Sequence, residues 1–131
     1  MPNRAGSVRI LIVDHGTAIL HSLVEIVLDL GYELQVCATQ TATIVAVGYQ
    51  PDVVLFDLTM PGPYTCDLLT AFRREQPHIP VVILGVQVDP STVEHFLNKE
   101  AFDYISKPFT PEVLAAVIRA ALAGEAPGGR D

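Results

Sequence analysis

The chain has only two cysteines, Cys37 and Cys66, and they match no metal-binding spacing, so two free thiols in a reducing cytosol are the favoured reading. Basic residues are scarce. Eight Lys and Arg face fifteen Asp and Glu, a formal net charge of −7. No Lys/Arg run exists, so the electrostatic footprint of a nucleic-acid binder is missing. The N-terminus lacks the apolar core of a signal peptide, and no apolar run approaches the ~18 residues of a membrane span. These absences point to one soluble, cytoplasmic domain that meets neither nucleic acid nor membrane. Its 131 residues, half of them apolar, suffice for a sizeable core.

What is present is a regular alternation of short apolar runs and helical patterns. Residues 1–7 form a polar lead-in. Val8 to Val13 predicts a first strand, ending at Asp14, His15 and Gly16. Thr17 opens a helix to Leu30, with Ile19, Leu20, Leu23, Ile26, Val27 and Leu30 at helical spacing and Gly31 as its stop. Glu33 to Ala38 is a second strand. Thr39 or Thr41 opens a helix ending near Tyr49, ahead of Pro51, with Ile44, Val45 and Val47 as its apolar set. A third helix runs from Tyr64 or Thr65 to Glu75, burying Leu68, Leu69 and Phe72, with Arg73, Arg74 and Glu75 as a solvated end. Pro80 to Val86 is a fourth strand, Asp89 and Pro90 start a helix to about Glu100, and Phe102 to Ser106 is a fifth strand. The last helix begins at Thr110-Pro111-Glu112 and runs to Ala123, with Val113, Leu114, Val117, Ile118 and Leu122 inward. Gly124 stops it, and residues 124–131 form a polar tail or linker.

The stretch between the second and third helices carries the chemistry. Val53 to Phe56 is an unbroken apolar run, too short for a helix, and predicts a strand buried on both faces. Asp57 follows at once, and Pro61, Gly62 and Pro63 force a loop. Open α/β sheets place ligands at the carboxyl ends of their strands. On this stretch alone, a ligand-side carboxylate and a mere cap of the strand or next helix are equally good readings. The alternation of strands and helices implies βαβ units and one parallel sheet covered on both faces. All loops that follow strands then gather on one edge, bringing Asp14, His15, Asp57, Thr59 and Lys107 together.

With those residues in place the sequence from Val8 to Leu122 resembles the receiver domain of two-component response regulators. The resemblance is carried by Ile-Leu-Ile-Val-Asp at 10–14, Val-Val-Leu-Phe-Asp-Leu-Thr-Met-Pro-Gly at 53–62 and Phe-Asp-Tyr-Ile-Ser-Lys-Pro-Phe at 102–109. It implies a flavodoxin-like (βα)5 fold over 8–123, a five-stranded parallel sheet in the order 2-1-3-4-5 with helices on both faces. It also implies that Asp57 is a phosphoacceptor for a histidine kinase or phosphotransfer protein, a signalling rather than an enzymatic role. Lys107 would pair with Asp57 or its phosphoryl group, across a Lys–Pro bond that is usually cis in the family. Mg²⁺ would be held by Asp14, Asp57 and the backbone carbonyl of Thr59. The surface formed by the fourth helix, fifth strand and last helix would serve a partner or a homodimer.

Two departures qualify the resemblance. The family's second acidic residue is His15 here, a poor ligand for a hard cation, so weakened Mg²⁺ binding is expected. In the bland alternative His15 faces solvent. The family's Ser or Thr after the fourth strand is Gly85, which removes the hydroxyl that reports phosphorylation to an aromatic residue, here Tyr104. Impaired switching follows, although Tyr104 could equally be an ordinary strand aromatic. The other reading of the chain is a pseudo-receiver, an interaction module that works without phosphate. Flavin-binding, cobalamin-binding and haloacid-dehalogenase-like chemistries lack their own signatures: no phosphate loop follows the first strand, Asp14 and His15 are adjacent, and Thr59 stands where a second acid is needed.

Overall fold

The computed structural model describes residues 7–14, 20–38, 41–58, 63–85 and 102–124. Five strands, β1 (Arg9–Val13), β2 (Glu33–Cys37), β3 (Val53–Leu58), β4 (Val81–Gly85) and β5 (Asp103–Ser106), alternate with α1 (Leu20–Asp29), α2 (Ala42–Tyr49), α3 (Pro63–Glu75) and α4 (Pro111–Ala123). All pairings are parallel and the order is β2-β1-β3-β4-β5. The helix expected over 89–100 and both polar termini lie outside the described residues.

Period two divides each strand between two cores. Ile10 and Ile12, Val53 and Leu55, Val82 and Leu84, and Ile105 pack with Leu23 and Val27 of α1 and with Leu114, Val117 and Ile118 of α4. Leu11 and Val13, Val54 and Phe56, Val81 and Ile83, and Tyr104 pack with Ala42 and Ala46 of α2 and with Leu69 and Phe72 of α3. The central strands are buried on both faces, which is why their sequences are continuously apolar.

Helix ends follow local chemistry. The Thr110 hydroxyl accepts from the Val113 N–H at 3.1 Å, Pro111 fills the first turn, and Gly124 closes α4 in the left-handed conformation. Thr41 behaves differently from expectation: its hydroxyl donates to the Ala38 carbonyl and caps nothing in α2.

Three burial assignments need correction. In α2 the buried residues are Ala42 and Ala46, while Ile44 is 75% and Val47 60% exposed. Alanine lets the helix axis approach the sheet closely, and α2 then turns its larger apolar side chains away. In α4 the same reason buries Ala115 and Ala121 and leaves Val113, in the first turn, exposed. Arg73 is half-buried, its guanidinium donating to the carbonyls of Gln76 and Ile79 at 3.0 and 2.7 Å, so it ties the end of α3 to the approach to β4.

Candidate functional site

Three polar side chains continue the α1/α4 face of the sheet past its carboxyl edge. Asp14 follows Ile10 and Ile12 at period two, Asp57 follows Val53 and Leu55, and Lys107 follows Ile105. The strand pattern therefore points all three the same way. Asp57, the last-but-one residue of β3, is completely buried, and Asp14 is buried beside it on the neighbouring strand. Lys107 stands two strands away, its N–H continuing the ladder by donating to the Gly85 carbonyl at 2.7 Å. Its stem spans the intervening β4, a reach of ~9–10 Å between strand axes, and its Nζ donates to Asp57 Oδ1 at 2.7 Å. The Lys107–Pro108 peptide is cis, as the resemblance implies.

Burial holds the Asp57 carboxyl above the usual carboxylate range. The Lys107 ammonium opposes that by hydrogen bond and charge, and Asp14 reinforces it by hydrogen bond and like charge. Among the described residues the edge holds two carboxylates and one cation. Its hard oxygen donors suit a divalent ion of the Mg²⁺ type, held by Asp14 and Asp57. Among the described residues no cluster of three His, Cys, Asp or Glu side chains supplies a richer ligand set. His15 and Thr59, the other two expected contributors, lie outside the described residues.

Gly85 and Tyr104 belong to the opposite, α2/α3 face. Gly85 continues Val81 and Ile83, and the β4–β5 register pairs Ile83 with Tyr104 and Gly85 with Ser106. Tyr104 is thus diagonal to Gly85 and 8% exposed, with burial raising its phenol above the ordinary range. Cys37 is a free thiol, half-buried, which burial pushes up; the side chain of Cys66 lies outside the described residues.

One interaction network escaped sequence reasoning, at the opposite edge. Arg9 lies over the Tyr49 ring at 5.4 Å, donates to the Tyr49 carbonyl at 2.8 Å, and receives the Asp52 carboxylate on its backbone N–H at 2.9 Å. Nothing in the local pattern joins residues forty positions apart; only the β1–β3 pairing does. It is a tie between strand starts, remote from Asp57.

Comparison with known proteins agrees with this fold. The family model "Response regulator receiver domain" matches residues 10–119. The DNA-binding response regulator MtrA of Mycobacterium tuberculosis is 35% identical over 115 residues, 87% of this chain and 50% of MtrA. The phosphate regulon transcriptional regulatory protein PhoB of Pseudomonas aeruginosa is 34% identical over 91% of this chain and 53% of its own length. The chain therefore spans about half the length of these curated relatives. Among solved structures, a putative response regulator from Chloroflexus aurantiacus superimposes with a TM-score of 0.79 at 26% identity, covering 89% of this chain and 98% of that one. The chemotaxis protein CheY4 of Vibrio cholerae shares the fold at a TM-score of 0.78 and 23% identity, over 89% of this chain and 100% of CheY4. No described helix is long and apolar enough to cross a membrane. On the matched span and these relatives, the chain belongs to the response regulator receiver domains of two-component signalling systems.

Proposed function

We propose that the chain accepts a phosphoryl group on Asp57 from a histidine kinase or phosphotransfer protein. One observation carries the reading: a fully buried carboxylate at the carboxyl end of the central strand, held at 2.7 Å by a lysine from two strands away. A carboxylate oxygen would attack phosphorus, the phosphorus–nitrogen bond of the donor phosphohistidine would break, and the imidazole would leave with a proton from solvent. The product is an acyl phosphate. Phosphoryl transfer needs positioning and charge neutralisation more than covalent help. Lys107 fixes the orientation of Asp57 and supplies the nearest cation for the transferred oxygens. A Mg²⁺ ion held by Asp14 and Asp57 would add neutralising charge. With His15 in place of a second carboxylate, we expect that ion to bind weakly.

Acetyl phosphate with Mg²⁺, read by intact mass under conditions that preserve acyl phosphate, tests the proposal. A single phosphoryl adduct is expected in the wild type and none in Asp57→Asn. His15→Asp should tighten Mg²⁺ about tenfold and speed labelling, by restoring a hard oxygen ligand. Absence of an adduct with Mg²⁺, with Mn²⁺ and with phosphohistidine donors would sink the reading.

Tyr104 favours a second reading, in which the domain works without phosphate. The ring is buried, and Gly85 offers no hydroxyl to draw a phosphoryl oxygen. Gly85→Thr should cost about 1–3 kcal/mol by crowding Tyr104. It should also make the Tyr104 NMR resonances respond to phosphorylation, to which those of the wild type stay nearly indifferent. Large phosphorylation-dependent shifts of Tyr104 in the wild type would show that no hydroxyl is needed at 85.

A further inference from the structure

The sequence of α2 secures it weakly. Its N-terminus is uncapped, since the Thr41 hydroxyl donates to the Ala38 carbonyl instead. Its C-terminus closes on Gln50 at φ 56° and ψ 64°, a left-handed conformation that glycine normally takes. No charge at either end complements the helix dipole, and no charged residue within it can form an ion pair along its surface. Gly48 lies inside the helix, at a place where an added Cβ would meet nothing within 4 Å. Eight residues of this kind cannot hold a helix in water by themselves.

Packing adds little. The buried residues of α2 are Ala42 and Ala46, the smallest apolar side chains it has, while Ile44 and Val47 are exposed. The Tyr49 phenol oxygen is buried without a hydrogen-bond partner among the described residues, a cost that opening would relieve. Arg9 works the other way. It belongs to β1, and its guanidinium donates to the Tyr49 carbonyl at 2.8 Å, stands 5.4 Å from the centre of the Tyr49 ring and is braced by Glu33 at 3.7 Å. The chain is fixed on both sides of the helix. Before it, the Cys37 carbonyl accepts from the Asp14 N–H; after it, Asp52 donates its N–H to the Arg9 carbonyl at 2.7 Å and accepts the Arg9 N–H on its carboxylate.

We propose that α2 is a lid on the core it shares with α3, latched at its C-terminal end by Arg9, and that it melts off the sheet as a unit ahead of global unfolding. Only the chain between Cys37 and Asp52 has to move. Opening bares Leu11 and Val13, with which Ala42 and Ala46 cluster. Asp14, Asp57 and Lys107 continue the other face of the sheet, so the lid opens with that site in place. The device needs no phosphate and stands apart from the role of Asp57.

Amide hydrogen exchange resolved by residue with NMR, on the unphosphorylated chain over a urea series, tests the lid. The α2 amides up to Gln50 should exchange at least ~100-fold faster than those of β3 and β4, and with a weaker urea dependence. Gly48→Ala and Gln50→Gly should each slow α2 exchange ~3–5-fold, because the helix reforms more readily. Arg9→Gln removes the latch and should speed it ~10-fold. Val117→Ala supplies the control. It thins the opposite core, so it should speed β3 exchange ~10-fold or more and leave α2 exchange unchanged. Exchange of α2 at the β3 rate, with the β3 urea dependence, overturns the proposal. So does a Val117→Ala effect as large on α2 as on β3. Indifference of α2 to Arg9→Gln, or to both Gly48→Ala and Gln50→Gly, overturns it as well.

Discussion

Replacing Lys107 with methionine is expected to slow labelling of Asp57 by acetyl phosphate by about 10²–10³-fold, the usual cost of removing one preorganised electrostatic partner from a reacting oxygen. Methionine keeps much of the stem's apolar packing across β4, so the change isolates the ammonium. The same substitution should cost about 2–3 kcal/mol in urea melts at neutral pH, less than the ~3–5 kcal/mol of breaking a buried ion pair, because Asp57 can take up a proton. The sign of the pH dependence follows from that escape. The Asp57 carboxyl is held above its usual range by burial and by Asp14, against which Lys107 pulls it down. Without Lys107 the folded-state value rises further. The variant's deficit should therefore be small below the ordinary carboxylate range and grow as pH rises through the elevated folded value. Labelling rates followed by intact mass, with urea melts at acid and alkaline pH, measure both effects. Labelling at the wild-type rate would remove Lys107 from the chemistry, and a deficit that shrinks on raising pH would contradict the charge balance.

The fold was largely legible because its signals are additive along the strands. Val53–Phe56 and Val81–Leu84 announce themselves as strands buried on both faces, and the Pro and Gly between elements mark the turns. The site was legible for the same reason. Once strands are parallel, residues at or just past their carboxyl ends must share an edge, and Asp14, Asp57 and Lys107 occupy such positions. Helix faces were less legible. In α2 the pattern contains Ala42, Ile44, Val45, Ala46 and Val47, apolar nearly all round, so periodicity cannot say which side turns inward. Close approach to the sheet favoured the alanines, a packing consideration that hydrophobicity does not register. Arg73 shows the other limit. Its charge suggested solvent, yet two carbonyls left open where α3 ends captured it, and no local pattern encodes the position of the Ile79 carbonyl.

The second large effect concerns Asp57 itself. Asp57→Asn should stabilise the domain by about 1–3 kcal/mol at neutral to alkaline pH, the scale of the desolvation penalty of a buried polar group. Asparagine nearly matches aspartate in volume. Its carbonyl can accept from Lys107 and its amide can donate to Asp14, so both neighbours of the wild type keep a partner. What disappears is the penalty of an ionised carboxylate, fully buried and next to a second one. The linkage runs in one direction. An acid whose folded value exceeds its unfolded value binds more protons when folded, so its contribution is fully present below the unfolded value and is lost as pH rises through the folded one. Asparagine has no such term. The stability difference between variant and wild type should therefore be largest at alkaline pH and shrink as pH falls toward the ordinary carboxylate range, other titrating groups cancelling in the comparison. Paired urea melts across that window give the difference directly, and a variant less stable than wild type at alkaline pH would mean that Lys107 more than offsets burial. A gain would show that the native carboxylate is kept at a cost to the fold, as expected of a group retained as a nucleophile. The phosphoryl group would then land where the fold already holds more negative charge than Lys107 alone can balance.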